Sequence, residues 1–391
     1  MKSIVITNKQ VAIVGGGPGG LTLARLLQAK GIAVTVYERD VNSAIRVQGA
    51  TLDLHVESGL KAIEAAGLMK RFEETYRPGA DKGRVVDQQG NIIYDEHDQA
   101  GEKAFGDALF RPEIDRADLR SLLVASLQAD TVVWDRQLVD LSPVGDGWQL
   151  SFKNGITAFA DLIIGADGAN SKVRSVITPI TPFYAGTTIL QGNVENASVR
   201  APTMYELLKG GKIYAHVEEK YVHVSAKGDG SIDFYVSLIR PENWAKASGI
   251  DFSDPTQRSA WFEDEFSGWG QVWFELFDQT GVPFLVRPQY CVPFDQHWEA
   301  QSSITVLGDA AHIAPPTGEG VNLAMLDALE LSECLTSPSF LNTQSAIATY
   351  EKQMLARGSD EAQVAMDTVA WMHSQNASMQ LVQLLTGSSG E

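Results

Sequence analysis

The sequence predicts an α/β protein in which a Rossmann-like domain is interrupted by a β-sheet domain and followed by a long C-terminal helix. Three observations carry this reading. An apolar strand, Gln10 to Val14, runs straight into Gly15-Gly16-Gly17-Pro18-Gly19-Gly20 and a helix. Two later strands end in glycine-bearing turns, Gly165 to Arg174 and Gly308 to Asn322. Between those turns, from about Pro182 to Arg240, the pattern changes to alternating β-type segments.

The first turn has the spacing of a dinucleotide site. Gly15 falls in the tight turn, Gly17 where the backbone must approach a pyrophosphate, and Gly20 where the helix packs on its strand. The helix through Leu21, Leu23, Ala24 and Leu27 presents free amides and a positive dipole end to the phosphates. A second strand, Ile32 to Tyr37, ends in Glu38, whose carboxylate can accept hydrogen bonds from a ribose diol. FAD and NAD both use this unit, so it leaves the cofactor open. Arg39 follows, then a polar connection to Arg46 and Thr51-Leu52-Asp53-Leu54. An arginine here can bind adenosine or phosphate, although a solvated surface charge is the commoner role.

Helices are expected over Glu57 to Ala66 and Met69 to Tyr76, a hairpin over Arg84 to Tyr94, and a polar surface loop from Asp95 to Phe110. A helix from Asp115 buries Leu119, Leu122 and Leu123, and spacing alone puts Arg116 and Arg120 together on a solvent face. Short strands then lead to the second motif, where Asp167 and Gly168 at a strand end suit close approach to the same ligand, with Ser171 as a helix cap. The sheet segments Thr187 to Val194, Lys212 to His216, Tyr221 to Ser225 and Ser231 to Ile239 can roof a cavity where the domains meet.

In the third motif Asp309 can bind a polyol hydroxyl, and the helix beginning near Val321 aims free amides at whatever lies on it. His312, with no partner acid nearby in sequence, reads as structural. Helices Val321 to Leu335, Thr343 to Met372 and Ser378 to Leu385 close the chain, the middle one long enough to brace both domains. The expected division is 1–181 and 286–342 for the nucleotide domain, 182–285 for the sheet domain and 343–391 for the terminal helices.

Composition excludes several functions. With 391 residues, 44% hydrophobic and 20% charged, the chain is an ordinary globular protein. A net charge of -18 opposes nucleic acid and anionic membranes as partners. Cys291 and Cys334 have no metal-ligand spacing and read as buried thiols, with no metal expected. Without a leader-like N-terminus or a membrane-length apolar run, the expectation is a cytoplasmic monomer.

Taken together, the three motifs resemble the single-component (class A) FAD-dependent aromatic hydroxylases over nearly the whole chain. Within that group the chain is most similar to the tetracycline-inactivating monooxygenases, in Val36 to Asp40, Thr51 to His55, Val133 to Arg136 and Gly308 to His312. The resemblance implies a Rossmann-like FAD-binding domain of the glutathione-reductase type. Glu38 and Arg39 would then hold the adenosine end of FAD, Asp53 and Arg116 help fix the flavin, Asp167 face the cofactor and Asp309 bind the ribityl chain. Arg46 matches a position associated with nicotinamide or flavin movement. Pro316, Gly318, Gly320, Val321 and Asn322 would contact the isoalloxazine ring.

It further implies oxygen transfer from O2 to a bound aromatic or polycyclic substrate, with NADPH or NADH as a transient reductant. Gln191, Lys212, Asp233, Tyr235 and Thr317 would face that substrate. Tetracycline is the single substrate the resemblance singles out, but Lys212 stands where an arginine is expected, Asp233 replaces a histidine and Tyr235 a glycine. Another phenolic or polycyclic substrate is the alternative, as is a non-catalytic flavoprotein that binds an aromatic ligand.

Overall fold

The computed structural model describes residues 4–43, 50–99, 104–107, 110–281 and 284–386. Five parallel strands form the nucleotide-domain sheet in the order Ile304–Val306, Leu162–Gly165, Val11–Val14, Val34–Tyr37, Val132–Val133. Val11–Val14 and Leu162–Gly165 are buried throughout, which is why they read as continuous apolar runs. Helices Pro18–Ala29, Gly320–Thr336 and Thr343–Met372 share one core with this sheet and with an antiparallel meander, Leu138–Val144, Gly147–Phe152 and Thr157–Ala160.

The second sheet has seven strands, in the order Leu285–Cys291, Phe183–Val194, Ile232–Ile239, Lys220–Ala226, Lys212–Val217, Gly83–Val86, Ile92–Asp95. The expected hairpin near residue 90 is present, but it belongs to this sheet. Gly83–Val86 lies parallel to Lys212–Val217, so the sheet is built from two separate stretches of chain and extends past the expected segment 182–285 on both sides.

Alternation along its strands divides the sheet into two unlike faces. Leu190, Ile213, Val222, Val224, Phe234 and Val236 point into an apolar core covered by helices Pro202–Leu208, Pro255–Glu265 and Gln271–Asp278. Gly192 interrupts that face because a Cβ there would lie 2.4 Å from the Phe234 ring. The opposite face carries Gln191, Asn193, Lys212, Tyr214, His223, Ser225, Asp233 and Tyr235, and it looks toward the nucleotide domain.

Thr343–Met372 has the expected bounds, and Asn342 caps it by accepting from the Ser345 amide. Tyr350 donates to the Val306 carbonyl and Glu351 accepts from Thr305, while just beyond the other end His373 bonds Ser237 on the second sheet. The helix therefore touches both sheets. The stretch after Asp95 is not wholly a surface loop: Phe105 and Phe110 pack edge-on against each other and against Tyr76. Cys291 is buried but Cys334 only partly so. Among the described residues no helix is long and apolar enough to cross a membrane, and no acid, His and Cys group could hold a metal.

Candidate functional site

Val14, Gly165 and Val306 end three neighbouring parallel strands, so all three glycine-bearing motifs converge on the carboxyl edge of one sheet, where open α/β sheets bind ligands. Gly15 has φ +112, and a Cβ there would lie 2.1 Å from the Ala166 carbonyl oxygen. At Gly20 a Cβ would lie 2.2 Å from the Gly15 oxygen. Gly17 is different: a Cβ on it would meet nothing within 4 Å. The turn is packed behind its backbone and open in front, at the amino end of helix Pro18–Ala29, and that shape fits a pyrophosphate.

Glu38 is 3% exposed, and its carboxylate accepts from the Gly16 amide at 2.5 Å and the Asp40 amide at 2.9 Å. Each oxygen retains acceptor capacity for a ribose diol. Arg39 is exposed just beyond it. Arg120 is not on a solvent face. It is buried, pairs with Asp40 at 2.9 Å and stacks on Trp134 at 5.2 Å, steadying the acid strand end from behind. Its neighbour Arg116 is exposed and lies near enough to both Asp309 and Asp233 to favour their charged forms.

Asp309 opens a short helix and is solvent-exposed. Its surroundings raise its pKa by desolvation, against the opposing charges of His312 and Arg116. Pro316, Gly318 and Gly320 are exposed beside it. Asp167 acts within its own turn, accepting from the Ser171 hydroxyl at 2.5 Å and the Lys172 amide at 2.7 Å, while Ser171 in turn caps Arg174. Arg46 lies outside the described residues.

Asn322 is fully buried. Its side chain accepts from the His55 amide at 2.9 Å and donates to the Asp53 carbonyl at 2.9 Å, so it pins the 53–58 segment to the late helix. Val321 is partly buried at the same helix start. Next to them stands a residue that sequence reasoning left unassigned. His55 lies between Asp53, at 3.0 Å, and Glu319, at 3.2 Å. Burial disfavours its charged form, but hydrogen bonds to Asp53 and Glu319 lift its pKa to about 9. Burial likewise opposes ionisation of Asp53, yet the His55 hydrogen bond and the Lys212 charge hold it at about 2. The i, i+2 spacing of Asp53 and His55 on an extended segment is the signal that would have found this pair.

Among the expected substrate residues, several hold protein groups. Lys212 forms a buried ion pair with Glu113, which sits across from Asp53 on a two-stranded ladder. Burial disfavours the ammonium, but Tyr214, Glu113 and Asp53 keep its pKa above the ordinary lysine value. Thr317 gives its hydroxyl to Glu361 at 2.6 Å. The Tyr235 hydroxyl accepts from the Ala50 amide at 3.0 Å, leaving its ring stacked on His223. Gln191 donates to both oxygens of Asp233, at 3.2 and 3.0 Å. His312 does have a partner acid, Asp327, at 2.6 Å, and Arg357 binds the same carboxylate. Both His312 and Asp327 are buried, so the structural reading stands for a different reason.

A family model described as an FAD binding domain matches residues 8–139 and 296–365, more than half of the chain. Among curated proteins, the monooxygenase asqM of Emericella nidulans is 26% identical, over 94% of this chain and 96% of that protein. HpxO of Klebsiella pneumoniae, solved with FAD and uric acid, superposes with a TM-score of 0.75 at 22% identity, covering 98% of this chain and 93% of that one. The tetracycline destructase Tet(51) superposes with a TM-score of 0.70 at 18% identity, covering 98% of each chain. These two likenesses are of fold.

Proposed function

The chain belongs to the FAD-binding family of monooxygenases, and from that premise we propose that it uses NADPH or NADH and O2 to hydroxylate an electron-rich aromatic or polycyclic compound. The observation that carries this reading is a juxtaposition. The open glycine turn, Asp309 and the loop bearing the exposed Pro316, Gly318 and Gly320 lie at the carboxyl edge of the nucleotide sheet, and Arg116 is within charge range both of Asp309 there and of Asp233 on the polar face of the seven-stranded sheet. Bound FAD supplies the redox chemistry, taking electrons from the nicotinamide and activating oxygen.

The chain's own residues have binding and positioning work. The turn amides and the helix dipole hold the pyrophosphate, Glu38 the ribose, and Asp309 the polyol chain. Thr317 fixed to Glu361, Glu319 to His55, and Asn322 to the 53–58 segment hold the late loop rigid, so that its amides are set before a ring arrives. The sheet orients the substrate and, with the ring of Tyr235 and the long helix behind, keeps bulk water from the reacting atoms.

Tetracycline is the first substrate to test. Its side of the argument is the shared Thr51 to His55 segment and the fold of Tet(51). The experiment follows tetracycline absorbance, NADPH oxidation and oxygen uptake together in the FAD-loaded protein. Coupled loss of all three establishes tetracycline hydroxylation. NADPH oxidation that yields only hydrogen peroxide moves the substrate search to other phenols and polycycles. Absence of oxygen-linked NADPH or NADH oxidation with every such compound refutes the monooxygenase reading.

A further inference from the structure

His55 is 3% exposed, and both of its ring nitrogens face carboxylates. Nε2 lies 3.0 Å from Asp53 and Nδ1 lies 3.2 Å from Glu319. A neutral imidazole has one N–H, so it would meet one of the two acids lone pair to lone pair. Only the imidazolium donates to both. The geometry thus calls for a cation in a place where burial alone opposes one.

The ring is not needed as a mechanical tie. Asn322 already joins the 53–58 segment to helix Gly320–Thr336, accepting from the His55 amide at 2.9 Å and the Ser58 hydroxyl at 3.3 Å and donating to the Asp53 carbonyl. Thr317 holds the late loop to Glu361 on the long helix. None of these bonds uses the imidazole. What the imidazole alone brings is positive charge.

Its location gives that charge a use. Glu319 immediately precedes helix Gly320–Thr336. Asp309 borders the same helix end, its Oδ1 3.9 Å from where a Cβ on Gly320 would stand, and Asp53 borders the loop, its Oδ1 3.8 Å from where a Cβ on Gly318 would stand. A helix amino end presents roughly half a positive charge. Two uncompensated carboxylates beside it would outweigh that charge.

We propose that His55 is a positioning residue of the flavin site: as the counter-ion shared by Asp53 and Glu319, it keeps the amino end of helix Gly320–Thr336 receptive to negative charge and so makes the protein bind reduced FAD in preference to oxidised FAD. This rests on Asp309 and the Pro316 to Gly320 loop being the place of the flavin, and it assigns the redox poise of that site to one side chain. Taking up two electrons and one proton, the flavin ring gains a negative charge, and charge near the ring tunes its electronics.

The charges facing His55 come from four elements: Asp53 on its own segment, Glu319 at the helix start, Glu361 on the long helix and Lys212 on the sheet beyond Asp53. Burial disfavours the imidazolium, but the bonds to Asp53 and Glu319 lift its pKa to about 9. The preference for reduced FAD is therefore complete in the neutral range and is lost as pH rises through that value.

The test is the two-electron reduction potential of the bound FAD, set against that of free FAD at each pH, with neither substrate nor oxygen present. The difference reports the ratio of affinities for reduced and oxidised FAD, tenfold being about 30 mV. In the wild type this ratio should hold up to about pH 8 and fall about tenfold by about pH 10. His55→Gln should run at the low ratio throughout, with no such step. Glu319→Gln should raise the ratio at about pH 6.5, because it removes an acid and leaves the imidazolium with Asp53. A residue that merely fastened the loop would lower the ratio in both variants alike.

A wild-type ratio without the alkaline step overturns the proposal, as does a His55→Gln ratio within about twofold of wild type at neutral pH, or a Glu319→Gln ratio that falls. FAD content and melting temperature are measured alongside, and the wild-type step and Glu319→Gln decide the matter even if His55→Gln fails to fold. Failure to take up FAD at all would refute the reading of the site and this proposal with it. Absence of oxygen-linked NADPH or NADH oxidation would count against the monooxygenase reading alone.

Discussion

Replacing Gly17 by alanine should separate FAD binding from folding, and the structure supplies the terms. Gly17 has φ -82 and ψ 177, an extended conformation that alanine adopts without strain, and the added methyl would meet no protein atom within 4 Å. Two small effects on the apoprotein oppose each other. Alanine restricts the unfolded chain, which stabilises by ~0.4–1 kcal/mol. It is also a poorer helix N-cap than glycine, which costs about as much. The net change should lie within about 0.5 kcal/mol.

Cofactor binding responds differently, because the methyl would occupy the space through which phosphate oxygens reach the turn amides. Losing one charge-assisted hydrogen bond, ~1.5–3 kcal/mol, weakens FAD binding roughly 10- to 100-fold. Gly20→Ala is the control of opposite kind. Its methyl would lie 2.2 Å from the Gly15 oxygen and 3.1 Å from the Ala166 Cβ. The helix must shift, which costs about 1–3 kcal/mol of folding stability. Urea unfolding of the apoproteins and FAD titration by fluorescence quenching measure both quantities. A Gly17→Ala protein that binds FAD within about twofold of wild type would refute this account of the turn.

Three further outcomes are expected. Asp309→Ala should purify with much of its FAD lost, and full flavin occupancy would remove the polyol-binding role assigned to that carboxylate. His55 titrates at about 9 when folded against about 6.5 unfolded, so its ion pairs add stability that is complete below the unfolded value and is lost as pH rises through the folded one. His55→Gln should abolish that alkaline decline, of about 1–2 kcal/mol after allowing for the partial exposure of Asp53 and Glu319, as urea melts across the range would show. Lys212→Met leaves Glu113 buried without its partner and should cost about 3–5 kcal/mol, most of it recovered when Glu113→Gln is added; an unchanged melting curve for the single variant would mean that water reaches Glu113.

Local chemistry was readable from the chain, and long-range partnership was not. The roles expected of Gly15 and Gly20 follow from contacts within the turn or with the adjacent strand end, and the structure shows the clashes that require them. The bounds of Thr343–Met372 follow from an Asn cap and an unbroken helical segment. Arg120 looked solvent-facing because helical spacing shows which residues share a face, but not that Asp40 and Trp134 cover that face. The hairpin near residue 90 was legible as a hairpin, yet its place in the second sheet depends on pairing Gly83 with Lys212, a contact that no local pattern encodes. The partners of Lys212 and Thr317 were illegible for the same reason: nothing near either residue in sequence announces Glu113 or Glu361.

The two unlike faces of the seven-stranded sheet bear on how this protein can change over evolutionary time. Along Ile232–Ile239 and its neighbours, the side chains that build the apolar core alternate one by one with those that look into the cleft. A substitution at Tyr235 or His223 alters the polar face without removing an atom from beneath Phe234 or Val224. Ligand preference and foldability are thus written on alternate letters of the same strands, and the first can drift through many small steps while the second is held fixed.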